Sequence, residues 1–259
     1  MRAIVCLAQV PEDGGRLRLA PDERRLDTEG ISWAVSTFDR YALEAALRLR
    51  EGSEGDVVAV HVGPDRAPSV LVEALAVGAD AAVQVWDPAL EGVDLDPSAV
   101  ARLLHAAIER LRPFDVVLAG HHAVGPDHGL VPVMLAEHLG LPAVTGVVSL
   151  APETGGLRVA RESGGEQEEW RCPMPALVAL HKGPNEPRHR SLKGLLAAKK
   201  KPIDRWTLMD LGVETSALAP LVRAVVVRPA PPRAATRWLE GEPAQQAQAA
   251  AAWLREVIS

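Results

Sequence analysis

Residues 36–64 read STFDRYALEAALRLREGSEGDVVAVHVGP, and the fold class can be inferred from this stretch. Residues 36–39 resemble a capping box, and the apolar side chains of residues 41–49 repeat at helical spacing. Residues 56–62 form an apolar, β-branched run that ends at a Gly-Pro pair, as a buried strand does. A helix followed closely by a buried strand predicts one unit of a parallel sheet with crossover helices.

The same alternation extends through the first 140 residues. Further strands are predicted at residues 3–10, 81–86 and 115–120, and further helices at residues 67–77 and 97–111, the last with Asp96 as its cap. We therefore expect an α/β fold with an open, mostly parallel sheet and helices on both faces.

After Pro142 the pattern changes to that of an antiparallel extension followed by an arm. The predicted elements are a hairpin of residues 144–150 and 156–160, strands at 170–172, 176–181 and 224–227, a Pro/Ala-rich linker at 229–235 and a helix at 243–258. Residues 183–202 are polar, basic and interrupted by proline, so they are either functional or flexible. We expect one domain over residues 1–204 and a C-terminal arm over residues 205–259.

The composition argues against several classes of protein. The 28 Lys and Arg against 34 Asp and Glu give a net charge of −6, which argues against a nucleic-acid partner. No apolar run approaches the roughly 20 residues of a membrane-spanning helix, and no secretory signal precedes the first strand, so we expect a cytoplasmic protein without direct membrane insertion. Cys6 and Cys172 fall on separate predicted strands and indicate no disulfide framework.

A ligand crevice is expected where the winding direction of the sheet reverses, outside the carboxyl ends of the strands. Its walls would be the loop after residue 10, the helix entry at 35–39, the turn at 62–64 and the loop at 120–129. Helix N-termini there favour a phosphate, but no G-x-G-x-x-G or P-loop motif is present, so a nucleotide site and a purely structural crevice are both open.

Three histidines, His121, His122 and His128, lie beside Asp127 and suggest a metal or acid/base site. Adjacent strand residues point to opposite faces, so His121 and His122 cannot both face one metal without a bend. Ordinary loop histidines are the alternative, and we predict neither a metal site nor a catalytic residue.

The segment Asn185-Glu186-Pro187-Arg188, followed by Ser191-Leu192 and by AAKKKP at residues 197–202, closely resembles the signature of electron transfer flavoprotein β subunits. The likeness includes Phe38 with residues 42–49, residues 60–64, 73–80 and 115–120, the Arg161-Glu162 pair and residues 175–178, and it is loose after residue 204.

The resemblance implies an adenine-nucleotide α-hydrolase-like fold in a heterodimer whose α subunit carries most of a redox-active FAD. The chain would then be an electron carrier subunit, not an enzyme, that passes electrons from flavin dehydrogenases to a quinone-linked or other acceptor. Its C-terminal arm would pack on the α subunit. The alternatives are a free-standing adenine-nucleotide sensor of the universal-stress type and a metal-dependent enzyme at the three histidines.

The resemblance also implies two sets of site residues. A nucleotide site, which holds AMP in most of the family and a second FAD in electron-bifurcating members, would be lined by Cys6, Ser36, Thr37, Phe38, Asp39, Val62, Gly120, Ala123, Val124, Asp127, Gly129, Leu130 and Val131. Phe38 is either the family's approach to the active flavin or a hydrophobic anchor of the helix start. The partner-recognition loop would contain Asn185, Glu186, Pro187, Arg188 and Leu192, with Leu192 as the anchor; an internal linker with a buried leucine is the alternative.

The chain departs from the family at the phosphate-holding loop. The usual acidic residues and Gln-Thr-Gly or Gln-Val-Gly run are replaced by GPDHGLVP at residues 125–132. The side chain of Leu130 cannot donate to a phosphate, and Pro132 has no N–H, but the backbone donors of residues 129–131 remain.

Overall fold

The fold is described from a computed structural model that covers residues 1–12, 18–21, 25–64, 68–125, 127–183, 185–228, 231, 233, 235, 236 and 238–258. Some positions of the sequence-based predictions lie outside these residues. They are residue 67 of the predicted helix, residue 126 of the phosphate-holding loop, residue 184 of the polar segment, and residues 229, 230, 232 and 234 of the linker.

Strands and helices alternate along the first part of the chain. The strands are β1 (Ala3–Cys6), β2 (Gln9–Pro11), β3 (Arg18–Leu19), β4 (Leu26–Asp27), β5 (Trp33–Val35), β6 (Val57–Val62), β7 (Ala81–Val85), β8 (Val116–Gly120), β9 (Ala143–Glu153), β10 (Gly156–Ser163), β11 (Glu166–Pro173), β12 (Ala176–Leu180) and β13 (Ile203–Trp206). The helices are α1 (Thr37–Glu51), α2 (Pro68–Val77), α3 (Pro97–Arg110), α4 (Leu130–Leu139), α5 (Leu192–Ala198), α6 (Leu208–Leu211) and α7 (Pro243–Ile258).

The described strands form one large sheet in the order β11-β10-β9-β12-β8-β1-β6-β7-β13, with two small two-stranded sheets beside it. From β9 to β13 all neighbours are parallel, whereas β10 and β11 are antiparallel and extend one edge. The chain winds from β1 through β6 to β7 and then returns to β8 on the other side of β1. The winding direction therefore reverses between β1 and β8.

Helices cover both faces of this sheet, and successive strand residues belong to opposite hydrophobic clusters. Val5 packs in the cluster that contains Leu47 of α1 and Leu71 of α2, whereas Ile4 packs with Leu103 of α3 in the other cluster. These strands are buried on both sides, as parallel strands between two helical layers are. The predicted α/β class, with a mostly parallel sheet and an antiparallel extension, is confirmed.

Three predictions about elements differ from the structure. The predicted strand at residues 3–10 is divided into β1 and β2, and α4 and α5 were not predicted as helices. The predicted strand at residues 224–227 is wrong: these residues pair with no described strand, and Val225 is 83% exposed, so nothing satisfies the strand propensity of this run. β13 also crosses the predicted domain boundary at residue 204, and Leu208 and Leu218 after it are buried in the core.

The predicted terminal helix at residues 243–258 is present as α7, and it is exposed along its length. Among the helices that the structure describes, none combines the length and the apolar character that a membrane crossing requires.

Replacement of Leu47 by alanine tests the packing of α1 on the sheet. Leu47 is 0% exposed, so Leu47→Ala should lower the free energy of unfolding by about 2–5 kcal/mol in urea denaturation. Leu196→Ala in α5 is the matched control, because Leu196 is 57% exposed and its truncation should change stability by less than about 0.5 kcal/mol. Equal losses in the two variants would contradict this packing.

Candidate functional site

The carboxylate of Asp39 joins the two strands at which the winding direction reverses. Asp39 lies in the first turn of α1, and its Oδ2 accepts a 2.7 Å hydrogen bond from the N–H of Ala8, just after β1. Its Oδ1 accepts a 2.7 Å bond from the N–H of Gly120 at the end of β8. The predicted capping box is therefore wrong, because Ser36 makes no side-chain capping bond and Asp39 binds the strand ends instead.

Gly120 is required at the end of β8 because α1 approaches the backbone closely. A Cβ atom there would lie 2.5 Å from Oδ1 of Asp39 and 2.8 Å from Cβ of Phe38, which is closer than real Cβ atoms come. Burial raises the pKa of Asp39 to about 7, although the two N–H donors act in the opposite direction.

The structure places most of the predicted nucleotide-site residues at this carboxyl edge. They are Cys6 at the end of β1, Ser36, Thr37, Phe38 and Asp39 at the start of α1, Val62 at the end of β6, Gly120 at the end of β8, and Ala123, Val124, Asp127, Gly129, Leu130 and Val131 in the loop and first turn that lead into α4. The thiol of Cys6 is an exception. It packs in the hydrophobic cluster of the α3 face, where burial raises its pKa.

The N-terminus of α4 lies at the same edge, directly after the loop that follows β8. Gly129 precedes α4 with a left-handed φ of 62°, and Asp127 adopts a φ of 49°, which is unusual for a residue other than glycine. The first N–H groups of a helix have no partner within it, so Leu130 and Val131 retain N–H groups, whereas Pro132 has none. This end of the helix can bind an anion through its backbone.

Polar side chains at this edge retain unused hydrogen-bonding capacity. Among the described residues, Ser36 Oγ, His61 Nε2 and Gln84 Oε1 are buried and have no hydrogen-bond partner. Nδ1 of His61 donates to the carbonyl of Leu7 at 2.7 Å, and burial lowers the pKa of His61, so Nε2 is a free acceptor. Buried polar atoms are normally paired, so these three are exceptions. Nε2 of His61 lies against Gly63, where a Cβ atom would be 2.2 Å from it, so His61 supports the turn after β6. His61 and Gln84 were not predicted as site residues, because they lie within apolar strands.

A cluster of aromatic rings lies at the ends of β8 and β12. The ring of Phe38 is 4.2 Å from that of His122 and 4.9 Å from that of His181, and the rings of His121 and His122 are 5.3 Å apart. His181, which was not among the predicted site residues, is the third histidine of this ring cluster. No group of three or more potential ligands in the described part of the chain is arranged to hold a metal ion.

The predicted recognition loop is held on α1 by ionic contacts. Glu44 of α1 is 3% exposed and accepts hydrogen bonds from Arg188, with 2.8 Å between Nε and Oε2, and from Arg48, with 2.7 Å between Nε and Oε1. Tyr41 donates to Glu186 at 3.2 Å. Asn185 and Pro187 are half-buried beside these contacts. Glu44 was not among the predicted site residues, because its partner is distant in the sequence.

The predicted anchor, Leu192, is the first residue of α5 and is 76% exposed. Ser191 caps this helix by accepting a 2.9 Å hydrogen bond from the N–H of Gly194. Gly194 lies against α2, where a Cβ atom would be 2.3 Å from the carbonyl oxygen of Ala76. Leu192 is therefore presented by a packed helix, and the alternative of a linker with a buried leucine is not supported.

The basic run after α5 is only partly a solvated face. Lys199 and Lys200 are exposed, but Lys201 donates to the carbonyl of Ala79 at 2.7 Å and so attaches this segment to the turn after α2.

Comparison with known proteins identifies the family of this chain. A sequence profile of the electron transfer flavoprotein domain family matches residues 25–211. The chain belongs to the electron transfer flavoprotein β-subunit family. It is 37% identical to the electron transfer flavoprotein subunit beta of Clostridium acetobutylicum over 84% of this chain and 83% of that protein. The corresponding protein of Bacillus subtilis is 32% identical over 89% of both chains.

A further relative is a subunit of a larger assembly. The caffeyl-CoA reductase-Etf complex subunit CarD of Acetobacterium woodii is 33% identical over 84% of this chain and 82% of that protein. The β-subunit resemblance inferred from the motif at residues 185–202 is thus confirmed, and the family consists of subunits of electron carriers.

Replacement of Asp39 by asparagine tests the bridge between β1 and β8. The amide keeps one acceptor oxygen and turns an NH₂ group toward the other N–H, so one buried donor loses its partner. Asp39→Asn should lower the free energy of unfolding at pH 8 by about 1–3 kcal/mol. The exposed Asp127→Asn is the control, with an expected change below about 0.5 kcal/mol. A loss no larger than that of the control would argue against the bridge.

The contribution of Glu44 to stability should depend on pH. Burial alone would raise the pKa of Glu44, but hydrogen bonds from Arg188 and Arg48 outweigh it and lower the pKa below its ordinary value of 4.5. The stabilisation is therefore present above that value and is lost as the pH falls through the folded pKa. In urea denaturation, the deficit of Glu44→Gln relative to wild type should be largest near pH 7 and should shrink below about pH 4. A deficit that grows with acid would contradict this assignment.

Proposed function

We propose that this chain is the β subunit of a heterodimeric electron transfer flavoprotein that carries electrons from flavin dehydrogenases to a quinone-linked or other acceptor. The observation that carries the proposal is the position of α1. Its first turn holds Phe38 and Asp39 at the carboxyl edge of the sheet. Further along the helix, Glu44 binds Arg188 and so holds the family motif at residues 185–188. One helix thus connects a cofactor-facing edge with a partner-facing segment.

The redox-active FAD would be shared with the α subunit and would meet this chain at Phe38. When bound, FAD supplies the capacity to store and release electrons. The rings of buried Phe38 and half-buried His122 and His181 pack against one another at this edge and would form a wall that keeps water from the flavin. Asp39 fixes the start of α1 and so keeps this wall in place.

The crevice between β1 and β8 would hold AMP or a second FAD. Its support is the free N–H groups at the start of α4 and the unpaired hydroxyl of Ser36. Phosphate contacts would come from the backbone of residues 129–131, since the side chain of Leu130 cannot donate and Pro132 has no N–H.

Partner docking would use Asn185, Glu186, Pro187, Arg188 and Leu192. Leu192 is the exposed apolar residue of this set and would enter a hydrophobic pocket of a dehydrogenase. Burial of one leucine contributes only about 1.5–3 kcal/mol, which suits a contact that must form and dissociate with each electron transfer.

The C-terminal arm, residues 205–259, would pack on the α subunit. In α7, Trp253, Leu254, Val257 and Ile258 are exposed apolar residues at helical spacing, so they form one apolar face. Such a face is stabilised when a partner surface covers it. The arm begins with buried contacts at Leu208 and Leu218, so only its later part would reach the partner.

Co-expression with an electron transfer flavoprotein α subunit from the same organism tests the proposal. We expect a yellow heterodimer with the absorbance of bound FAD, and mass spectrometry of the released small molecules should identify FAD alone, FAD with AMP, or two FAD for each heterodimer. A colourless, stable monomer in the presence of the α subunit would contradict the proposal. Tight ATP or AMP binding by the chain alone would favour the universal-stress alternative.

A further inference from the structure

The segment that carries Leu192 is attached to α1 through an almost completely buried carboxylate. We call residues 185–198 the docking segment. Oε2 of Glu44 accepts hydrogen bonds from Nε of Arg188 at 2.8 Å and from the backbone N–H of Arg188 at 3.1 Å. Oε1 accepts from Nη2 of Arg188 at 3.1 Å and from Arg48 at 2.7 Å. Both oxygens of Glu44 are therefore used, and most of their bonds go to one residue of the docking segment.

Arg188 is also held by a second carboxylate from α1. Its Nη1 donates to Glu51 at 2.8 Å. Glu51 lies about two helical turns beyond Glu44. The hydrogen bonds to Glu44 and Glu51 raise the pKa of Arg188, so its guanidinium stays charged. The planar guanidinium thus contacts α1 at two points, and two-point contacts of this kind fix orientation as well as position.

Contacts on either side of Arg188 complete the attachment. Glu186 accepts the hydrogen bond of Tyr41, and on the other side Gly194 lies against Ala76 of α2. Leu192 lies between Arg188 and Gly194 in the sequence, so its position is set from both sides. Of these contacts, the pair formed by Glu44 and Arg188 is the one that buries a charge, and loss of a partner from a buried charge is strongly unfavourable.

We propose that Glu44 and Arg188 are positioning residues for docking of the dehydrogenase: their ion pair keeps the docking segment in the conformation that presents Leu192. The inference rests on the proposed function, in which Leu192 is the anchor. A protein whose docking conformation is only partly populated binds its partner more weakly by that fraction. The ion pair would therefore act on partner affinity through the conformation of the docking segment.

The ion pair is distant from the cofactor-facing end of α1. Glu44 follows Phe38 by six residues, which corresponds to about 9 Å along the helix axis. Variants of Arg188 should therefore raise the KM of the dehydrogenase for the heterodimer. They should leave kcat and the FAD content of the heterodimer unchanged.

The test compares Arg188→Gln with three other variants in the co-expressed heterodimer. Arg48→Gln is the matched control, because Arg48 binds the same carboxylate but lies on α1 itself. Arg188→Lys keeps the charge and loses the two-point geometry. Leu192→Ala removes the anchor and leaves the ion pair intact.

Two measurements distinguish the order of residues 185–198 from their binding to the dehydrogenase. Hydrogen–deuterium exchange of residues 185–198 reports on the conformation of the segment. Steady-state reduction of the heterodimer by a flavin dehydrogenase that reduces the wild type, supplied with its own substrate, gives KM and kcat. Arg188→Gln should accelerate exchange and raise the KM about tenfold if one tenth of the molecules stay docking-competent. Arg188→Lys should be intermediate, Arg48→Gln close to wild type, and Leu192→Ala should raise the KM without faster exchange.

Several outcomes would overturn the proposal. Unchanged exchange in Arg188→Gln would show that other contacts hold the segment, and faster exchange with an unchanged KM would show that its order does not matter for docking. An equal effect of Arg48→Gln would assign the effect to the charge on Glu44 alone. If the wild-type heterodimer contained no FAD and no dehydrogenase reduced it, the proposed function would fail, while the exchange measurement would still decide whether the ion pair orders the segment.

Discussion

The bridge from Asp39 to the N–H groups of Ala8 and Gly120 is the interaction on which the rest of the structure depends. It joins the ends of β1 and β8, the two strands between which the winding direction reverses. The two bonds fix the start of α1 against both strands, and the absence of a side chain at residue 120 allows the close approach. Since α1 also carries Phe38 and Glu44, a displacement of its first turn would move the ring cluster at the carboxyl edge and residues 185–198 together.

The two buried carboxylates of α1 are stabilised in different ways, and their pKa values move in opposite directions. Asp39 is compensated by neutral N–H dipoles, which do not offset the loss of hydration, so its pKa rises to about 7. Glu44 is compensated by the full charges of Arg188 and Arg48, which outweigh burial and lower its pKa. Asp39 is bound by backbone N–H groups of the sheet, whereas Glu44 is bound by a charged side chain of the segment that it holds.

The sequence was sufficient for features that depend on local periodicity. The alternation of β6, β7 and β8 with α1, α2 and α3, the hairpin of β9 and β10, and helix α7 were predicted correctly, because their apolar patterns repeat over neighbouring residues. Short elements such as β13 and α5 were not predicted, because their stability comes from contacts with β7 and α2. The run at residues 224–227 shows the converse, since high strand propensity without a pairing partner gives no strand.

The candidate site was predictable only where a motif identified it. The pattern of residues 36–39 matches a capping box, and nothing local distinguishes an aspartate that caps its own helix from one that binds two distant strands. The contact between Glu44 and Arg188 joins residues 144 positions apart, and His181 meets Phe38 through the pairing of β12 with β8. Such contacts follow from the sheet order, which periodicity does not determine.

A docking contact with one anchor places a physical demand on the segment that carries it. Burial of Leu192 can contribute about 1.5–3 kcal/mol, and ordering the backbone of a single residue costs about 1–2 kcal/mol. If residues 185–192 became ordered only upon docking, the loss of conformational entropy would exceed the gain from the leucine several times over. A contact small enough to exchange rapidly can therefore be specific only if its conformation already exists in the free protein. The ion pair of Arg188 with Glu44, the cap at Ser191 and the packing of Gly194 on α2 meet that demand.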